Sequence, residues 1–186
     1  MIEIAVGLIA LFMSSQVFAQ KISFEAGSYS LTAEPPSGST SGNVKVRTFG
    51  VYSLSANFSL APQIQLGVGY SVFFSKVLSG DMGFGPDFSL NYYYLGIAAP
   101  LGYSDQSASY RESEFFRPYV GMSFHQRQFQ SIQSSYSGFG VVAGAEIQAD
   151  RTWSYRFGVR SQALKGPSNT NMSYIDFLLG LQMGFQ

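Results

Sequence analysis

Gln63-Ile64-Gln65-Leu66-Gly67-Val68-Gly69-Tyr70-Ser71-Val72-Phe73-Phe74-Ser75 alternates apolar and polar residues almost without error. Ile64, Leu66, Val68, Tyr70, Val72 and Phe74 share one side, and Gln63, Gln65, Gly67, Gly69, Ser71 and Ser75 the other, with Phe73 as the exception. A period of two is that of a strand with one greasy and one polar face. The C-terminus repeats the pattern, with Ile175, Phe177, Leu179, Leu181, Met183 and Phe185 in phase against Asp176, Gly180, Gln182 and Gly184. Strands of this kind, about 10 residues or longer, reach across a bilayer.

The bulk composition points the same way. The chain has 186 residues, and its 11 basic and 11 acidic groups cancel. One domain is expected, with no net field to recruit nucleic acid. Only 12% of residues are charged while 16% are aromatic, whereas about a quarter of an ordinary soluble chain is charged. Something other than water must cover part of the surface. Cysteine is absent and histidine occurs once, so no disulfide framework, thiolate site or histidine-based metal cluster is expected. Residues 1–19 read as a signal peptide. An apolar run from Ile4 to Met13 leads to Val17-Phe18-Ala19 ahead of Gln20, with small residues where signal peptidase needs them and a core too short to span a membrane. Residues 20–186 then form the mature domain.

Period-two segments recur through that domain between turn-rich breaks, and no helical periodicity of useful length interrupts them. The first strand runs from about Lys21 to Leu31, with Ile22, Phe24 and Ala26 on the apolar side. Tyr29 and Leu31 fall out of phase, which predicts a bulge near Gly27. The others are centred on residues 44–60, 63–75, 87–94, 118–127, 139–148, 153–160 and 172–185. Eight strands with short turns after the second and sixth, longer Gly-, Ser-, Asn- or Gln-rich connections after the first, third, fifth and seventh, and only the connection after the fourth breaking the rule, predict an eight-stranded antiparallel up-and-down transmembrane β-barrel. The Gly-rich run Ser79 to Pro86 lacks the lysine and helix start of a phosphate cradle and reads as an outer loop. The break from Leu101 to Arg117 is the longest.

Charge settles which face looks outward. A solvent-facing wall would carry many Lys and Glu residues, but the polar phase here is mostly Ser, Gly, Gln and Asn. An eight-stranded barrel has an interior just wide enough for side chains to fill. Small residues there leave room for a few long ones. By phase Glu25, Lys45, Arg47, Asp87, Arg127, Glu146, Arg156, Arg160 and Asp176 point into the lumen, with Glu146 opposite Arg156 and Arg160 level with Asp176. Unpaired charge in so narrow a space is costly, so an ion-pair network that plugs the barrel is expected. Trp153, Tyr155, Tyr92, Tyr94, Phe115 and Phe116 near strand ends suit an aromatic girdle.

The whole mature pattern resembles the small outer-membrane β-barrels of Gram-negative bacteria, the OmpA-transmembrane-like and OmpX-like group. The segment Phe116-Arg117-Pro118-Tyr119-Val120-Gly121 looks like a strand opening common in such barrels. The closing Leu178-Leu179-Gly180-Leu181-Gln182-Met183-Gly184-Phe185 looks like their C-terminal assembly signal, matched at Gly180, Met183 and Phe185. The resemblance implies a monomer in the cell outer membrane, in contact with outer-membrane lipids and lipopolysaccharide and inserted by the barrel-assembly machinery. It implies a structural or surface-interaction role without a cofactor and names no external ligand. An OmpW-like narrow channel is the alternative. A lipid A-modifying enzyme using His125, Ser123 and Glu146 is the weaker one, since all three point to the lumen and His125-Gln126-Arg127-Gln128 departs from the His-x-Ser-Asn arrangement. No catalytic residue is therefore assigned. Specific interactions are expected in the connections at 33–43, 77–86, 128–137 and 165–171.

Overall fold

The computed structural model describes residues 18–33, 44–61, 63–74, 82–94, 115–129, 135–150, 152–167 and 170–185. Backbone alone is described at 18–20, 33, 44–49, 82 and 129. The strands are β1 (Phe18–Ala33), β2 (Val44–Ala61), β3 (Ile64–Phe74), β4 (Met82–Tyr93), β5 (Phe116–Phe129), β6 (Ser135–Gln148), β7 (Trp153–Lys165) and β8 (Asn171–Phe185). Each pairs antiparallel with its neighbour in sequence, and β1 pairs with β8 to close the barrel. The expected eight-stranded up-and-down barrel is the fold. Cross-strand partners followed once around the wall lead from Lys21 through Asn57, Gly67, Ser89, Ser123, Gly140, Gln162 and Tyr174 back to β1 at Leu31. That displacement of ten residues (31 − 21) tilts the strands by about 35–45° to the barrel axis.

Residues 63, 149, 150 and 152 lie at one end, here the turn end. The C-terminal ends of β1, β3, β5 and β7 lie at the other, the loop end. The long break after β4 (95–114) and most of the proposed signal peptide (1–17) lie outside the described residues. β1 begins at Phe18, three residues ahead of the expected onset and two ahead of the expected cut before Gln20.

Two local expectations are corrected. β1 keeps one phase throughout, with Ser23, Glu25, Gly27, Tyr29 and Leu31 all buried. The irregularity sits on its partner, where Gly27 pairs with Val51 and Ser28 with Phe49, leaving Gly50 as the extra residue. Gly50 has φ 140°, a conformation that glycine tolerates and L side chains rarely adopt. The Gly-rich run is also not all loop. Met82 to Pro86 belongs to β4, with Gly83, Gly85 and Pro86 opposite Phe73, Ser71 and Tyr70. A Cβ on Gly83 would sit 2.4 Å from the Phe73 ring, so the missing side chain is the space that ring fills. Gly83→Val is expected to destabilise the barrel by about 1–3 kcal/mol through overpacking. A urea midpoint equal to wild type in detergent would refute it.

The side chains divide the barrel into two storeys. Through most of its height the outer wall is greasy: Phe24, Leu54, Met122, Phe139, Phe177 and Leu179 are more than half exposed. At the loop end of β1 and β5 to β8 the polarity reverses while the phase does not, whereas outward Tyr52, Phe74 and Phe84 keep the wall of β2 to β4 apolar. Outward residues become Ser28, Ser30 and Thr32 on β1, Gln126 and Gln128 on β5, Ser135 and Ser137 on β6, Ser161 and Lys165 on β7, and Asn171 and Ser173 on β8. Inward residues become apolar there: Tyr29, Leu31, Val51 and Phe73 meet Tyr136, Leu164, Met172, Tyr174 and Leu178 in one buried cluster. Strand ends with a polar wall and an apolar interior are built for water. The greasy band below is built for lipid. On β3 it runs from Ile64 to Phe74, about 33 Å along the strand at ~3.3 Å per residue and about 25 Å across the bilayer at the barrel tilt.

Candidate functional site

The lumen beneath the apolar cluster is polar and centres on Asp87. From the neighbouring β5 and from β7 across the lumen, long cations point at it. His125 Nδ1 lies 2.5 Å and Arg127 Nη1 2.6 Å from Asp87 Oδ1, Arg160 Nη1 lies 3.6 Å from Oδ2, and the Ser71 hydroxyl donates to Oδ2. Arg160 also donates to Asp176 Oδ2 from Nη2 at 2.8 Å and from Nε at 3.2 Å, and Gln162 adds a third bond at 3.1 Å. One guanidinium thus joins two carboxylates on β4 and β8. Deeper in the lumen Arg156 lies 3.5 Å from Glu25, donates from Nε to Tyr119 Oη at 3.1 Å, and sits 4.6 Å from the centre of that ring. The Tyr119 ring needs space on its far side. A Cβ on Gly144 or Gly158 would come within 2.7 Å of its hydroxyl, and neither residue has one.

Of the nine lumen charges expected from phase, Glu25, Asp87, Arg127, Glu146, Arg156, Arg160 and Asp176 are buried inside the barrel. Lys45 and Arg47 pair in backbone register with Thr32 and Ser30, beyond the Gly50 irregularity, and their side chains lie outside the described residues. Arg160 and Asp176 face each other and form an ion pair. Glu146 and Arg156 also face each other, but their nearest partners differ from that expectation. Glu146 takes Lys21 at 2.5 Å, and Arg156 takes Glu25. Lys21 shares the inward phase of Ser23 and Glu25; it was missed because it stood at the expected strand boundary. Tyr93 was missed because its neighbours Tyr92 and Tyr94 carry the greasy phase, and Tyr119 because an aromatic ring beside Val120 gives no polar signal. Their rings pack 5.2 Å apart with Arg117 4.8 Å above Tyr93.

Lys21, Arg127, Arg156 and Arg160 balance Glu25, Asp87, Glu146 and Asp176, so these buried pairs carry no net charge. Cations gather on β5 and β7, whereas Ser53, Ser55, Gly67, Gly69 and Ser89 line the opposite side of a cavity of about 30 Å³. That is room for water in polar surroundings, and Asn91 Oδ1, Ser123 Oγ and His125 Nε2 have no hydrogen-bond partner among the described residues. His125 is committed to Asp87, while Glu146 is committed to Lys21. The histidine, serine and glutamate of the lipid-hydrolase reading therefore do not form one unit. Among the described residues, no three metal-ligating side chains converge.

The proposed assembly signal occupies the β8–β1 closure. Gly180 lies opposite Glu25, where a Cβ would meet Phe24 O at 2.4 Å; Met183 pairs with Ile22, and Phe185 is exposed on the outer wall. Trp153, Tyr155, Tyr92 and Tyr94 stand exposed around the turn end, as a girdle requires.

No protein-family model matches the chain, and comparison with curated protein sequences finds no match. Solved structures are similar in fold. Neisserial surface protein A (NspA) superposes with a TM-score of 0.61 at 13% identity, covering 89% of this chain and 97% of that one. The outer membrane protein OprG from Pseudomonas aeruginosa gives 0.50 at 12% identity, covering 91% and 97%. The chain therefore has the fold of outer-membrane barrels.

Proposed function

We propose that the protein is an integral outer-membrane barrel with a closed lumen and a structural or surface-interaction role. The observation that carries this reading is the apolar cluster of Tyr29, Leu31, Phe73 and their neighbours, which fills the loop end of the lumen above a polar interior laced with ion pairs. Water and ions entering from the turn end meet packed aromatic side chains rather than a pore. The greasy outer band supports insertion into a bilayer, and the names of two proteins sharing the fold, a surface protein and an outer membrane protein, support that membrane in particular. In this reading a leader ending at Ala19 delivers the chain, Gly180, Met183 and Phe185 present it to the barrel-assembly machinery, and the barrel works as a monomer. Purified protein in planar bilayers is expected to give no steady openings. A stable large conductance would overturn the closed lumen and favour the narrow-channel alternative. Outer-membrane fractionation with a heat-dependent gel-mobility shift tests the location independently.

A further inference from the structure

Proline within a sheet is ordinarily confined to edge strands, because it has no N–H to give the ladder. A closed barrel has no edge, yet Pro86 lies near the middle of β4. Toward β3 the ladder runs through it unbroken, with Gly85, Pro86 and Asp87 opposite Ser71, Tyr70 and Gly69. Toward β5 it does not. Phe84 pairs with Gln128 and Asp87 with His125, while Gly85 and Pro86 between them form no pair. The missing N–H therefore faces β5, and the register on either side sets the Gln126 carbonyl opposite it. A carbonyl without a donor in a lipid-facing wall is costly, since hydrocarbon offers none.

A side chain supplies the donor. Arg127 Nη1 donates to Gln126 O at 2.9 Å and lies 3.4 Å from Gly85 O and 3.5 Å from Pro86 O. The same nitrogen sits 2.6 Å from Asp87 Oδ1, so the carboxylate next to the proline in sequence holds the guanidinium against the carbonyls. Gly85 lets the strands close up there, because a Cβ on it would collide with Gln126 O. On its other side the guanidinium lies 5.9 Å from the centre of the Phe73 ring, shut off from solvent.

We infer that Asp87 and Arg127 form a latch on the β4–β5 seam: Arg127 gives the ladder the donor that Pro86 lacks, Asp87 fixes it there, and the wall opens locally at this seam when the latch is released. Local opening follows the weakest hydrogen bonding, and here one guanidinium stands in for a backbone N–H. Pro86 shares the outward phase of Phe84 and Phe88, so an opening beside it joins the polar lumen near His125 to the outer wall. The charge centre of the lumen and the closure of the wall are then one device.

The test follows amide hydrogen exchange by NMR in the full barrel refolded in detergent micelles. In Arg127→Met the amides of Phe84, Gln126 and Gln128 are expected to exchange at least tenfold faster than in wild type, while those of Val141 and Val159 on β6 and β7 change less than twofold. Pro86→Ala returns the missing N–H, so adding it to Arg127→Met should bring the seam back to within twofold of wild type. Losing the ion pair alone would allow no such rescue. A uniform rise over all eight strands, or a seam that stays fast in the double variant, overturns the inference. Heat-dependent gel mobility reports whether each variant folds. If Arg127→Met does not, Asp87→Asn decides: it loosens the hold on the guanidinium, and a rise of at least threefold, confined to the seam and reversed by Pro86→Ala, is expected.

Discussion

Asp87→Ala is expected to cost the barrel about 3–5 kcal/mol, the loss typical when one partner is removed from a buried charge group. Asp87 accepts from His125, Arg127 and Ser71 and faces Arg160 at 3.6 Å. Its removal leaves Arg127, 1% exposed, without its carboxylate in a lumen too narrow to rehydrate it fully. Arg160 suffers less because Asp176 still holds two of its nitrogens. Asp87→Asn keeps the shape and part of the hydrogen bonding, so an intermediate cost is expected. Asp87→Leu combined with Arg127→Met should recover much of the loss, since replacing both members of a buried pair by apolar groups is often neutral. Urea unfolding of the reconstituted protein measures all three. A loss below about 1 kcal/mol for Asp87→Ala would mean that water, not the carboxylate, satisfies these cations.

The barrel was legible because period two is the only pattern lipid leaves open to strands, and the charges marked the inside. What the pattern hid came from the assumption that one polarity rule holds along a whole strand. Tyr29, Leu31 and Phe73 looked like phase errors, and the first two prompted a bulge on the wrong strand. They are inward residues of a storey whose outer wall turns polar on β1 and β5 to β8. Polar Ser28, Ser30 and Thr32 between them carried that signal. Glycine misled for a related reason: Gly83 and Gly85 read as loop, whereas Gly83 makes room for Phe73 within a paired strand. At the lumen, phase placed Glu146 beside Arg156 correctly in register. Which partner each side chain chose depended on Lys21 and Tyr119 arriving from strands distant in sequence. No two-strand register contains that choice, because a closed barrel brings every inward side chain to one axis.

The boundary between the storeys makes a sharp demand on β8, where Leu179 and Ser173 lie six residues apart in the same outward phase. Leu179 is 70% exposed amid Phe177, Leu181 and Phe157, near the middle of the greasy band. Leu179→Arg is therefore expected to cost about 2–4 kcal/mol in phospholipid vesicles, the midplane penalty for an arginine on a lipid-facing barrel wall. Ser173 pairs with Thr32 and Ala163 in the polar rows above. Ser173→Arg is expected to cost about 0–1 kcal/mol, the interfacial value. In detergent, which adapts to the shape it covers, the difference should shrink. Equal costs for the two arginines in vesicles would place Ser173 within the hydrocarbon, and the apolar cluster around Phe73 would then lie at membrane depth. A difference of the expected size puts the polar rows of β5 to β8, and the side of that cluster built by Tyr136, Leu164, Met172 and Tyr174, above the lipid chains. A wall residue there is free to meet a headgroup or another molecule, whereas one at Leu179 can meet only hydrocarbon.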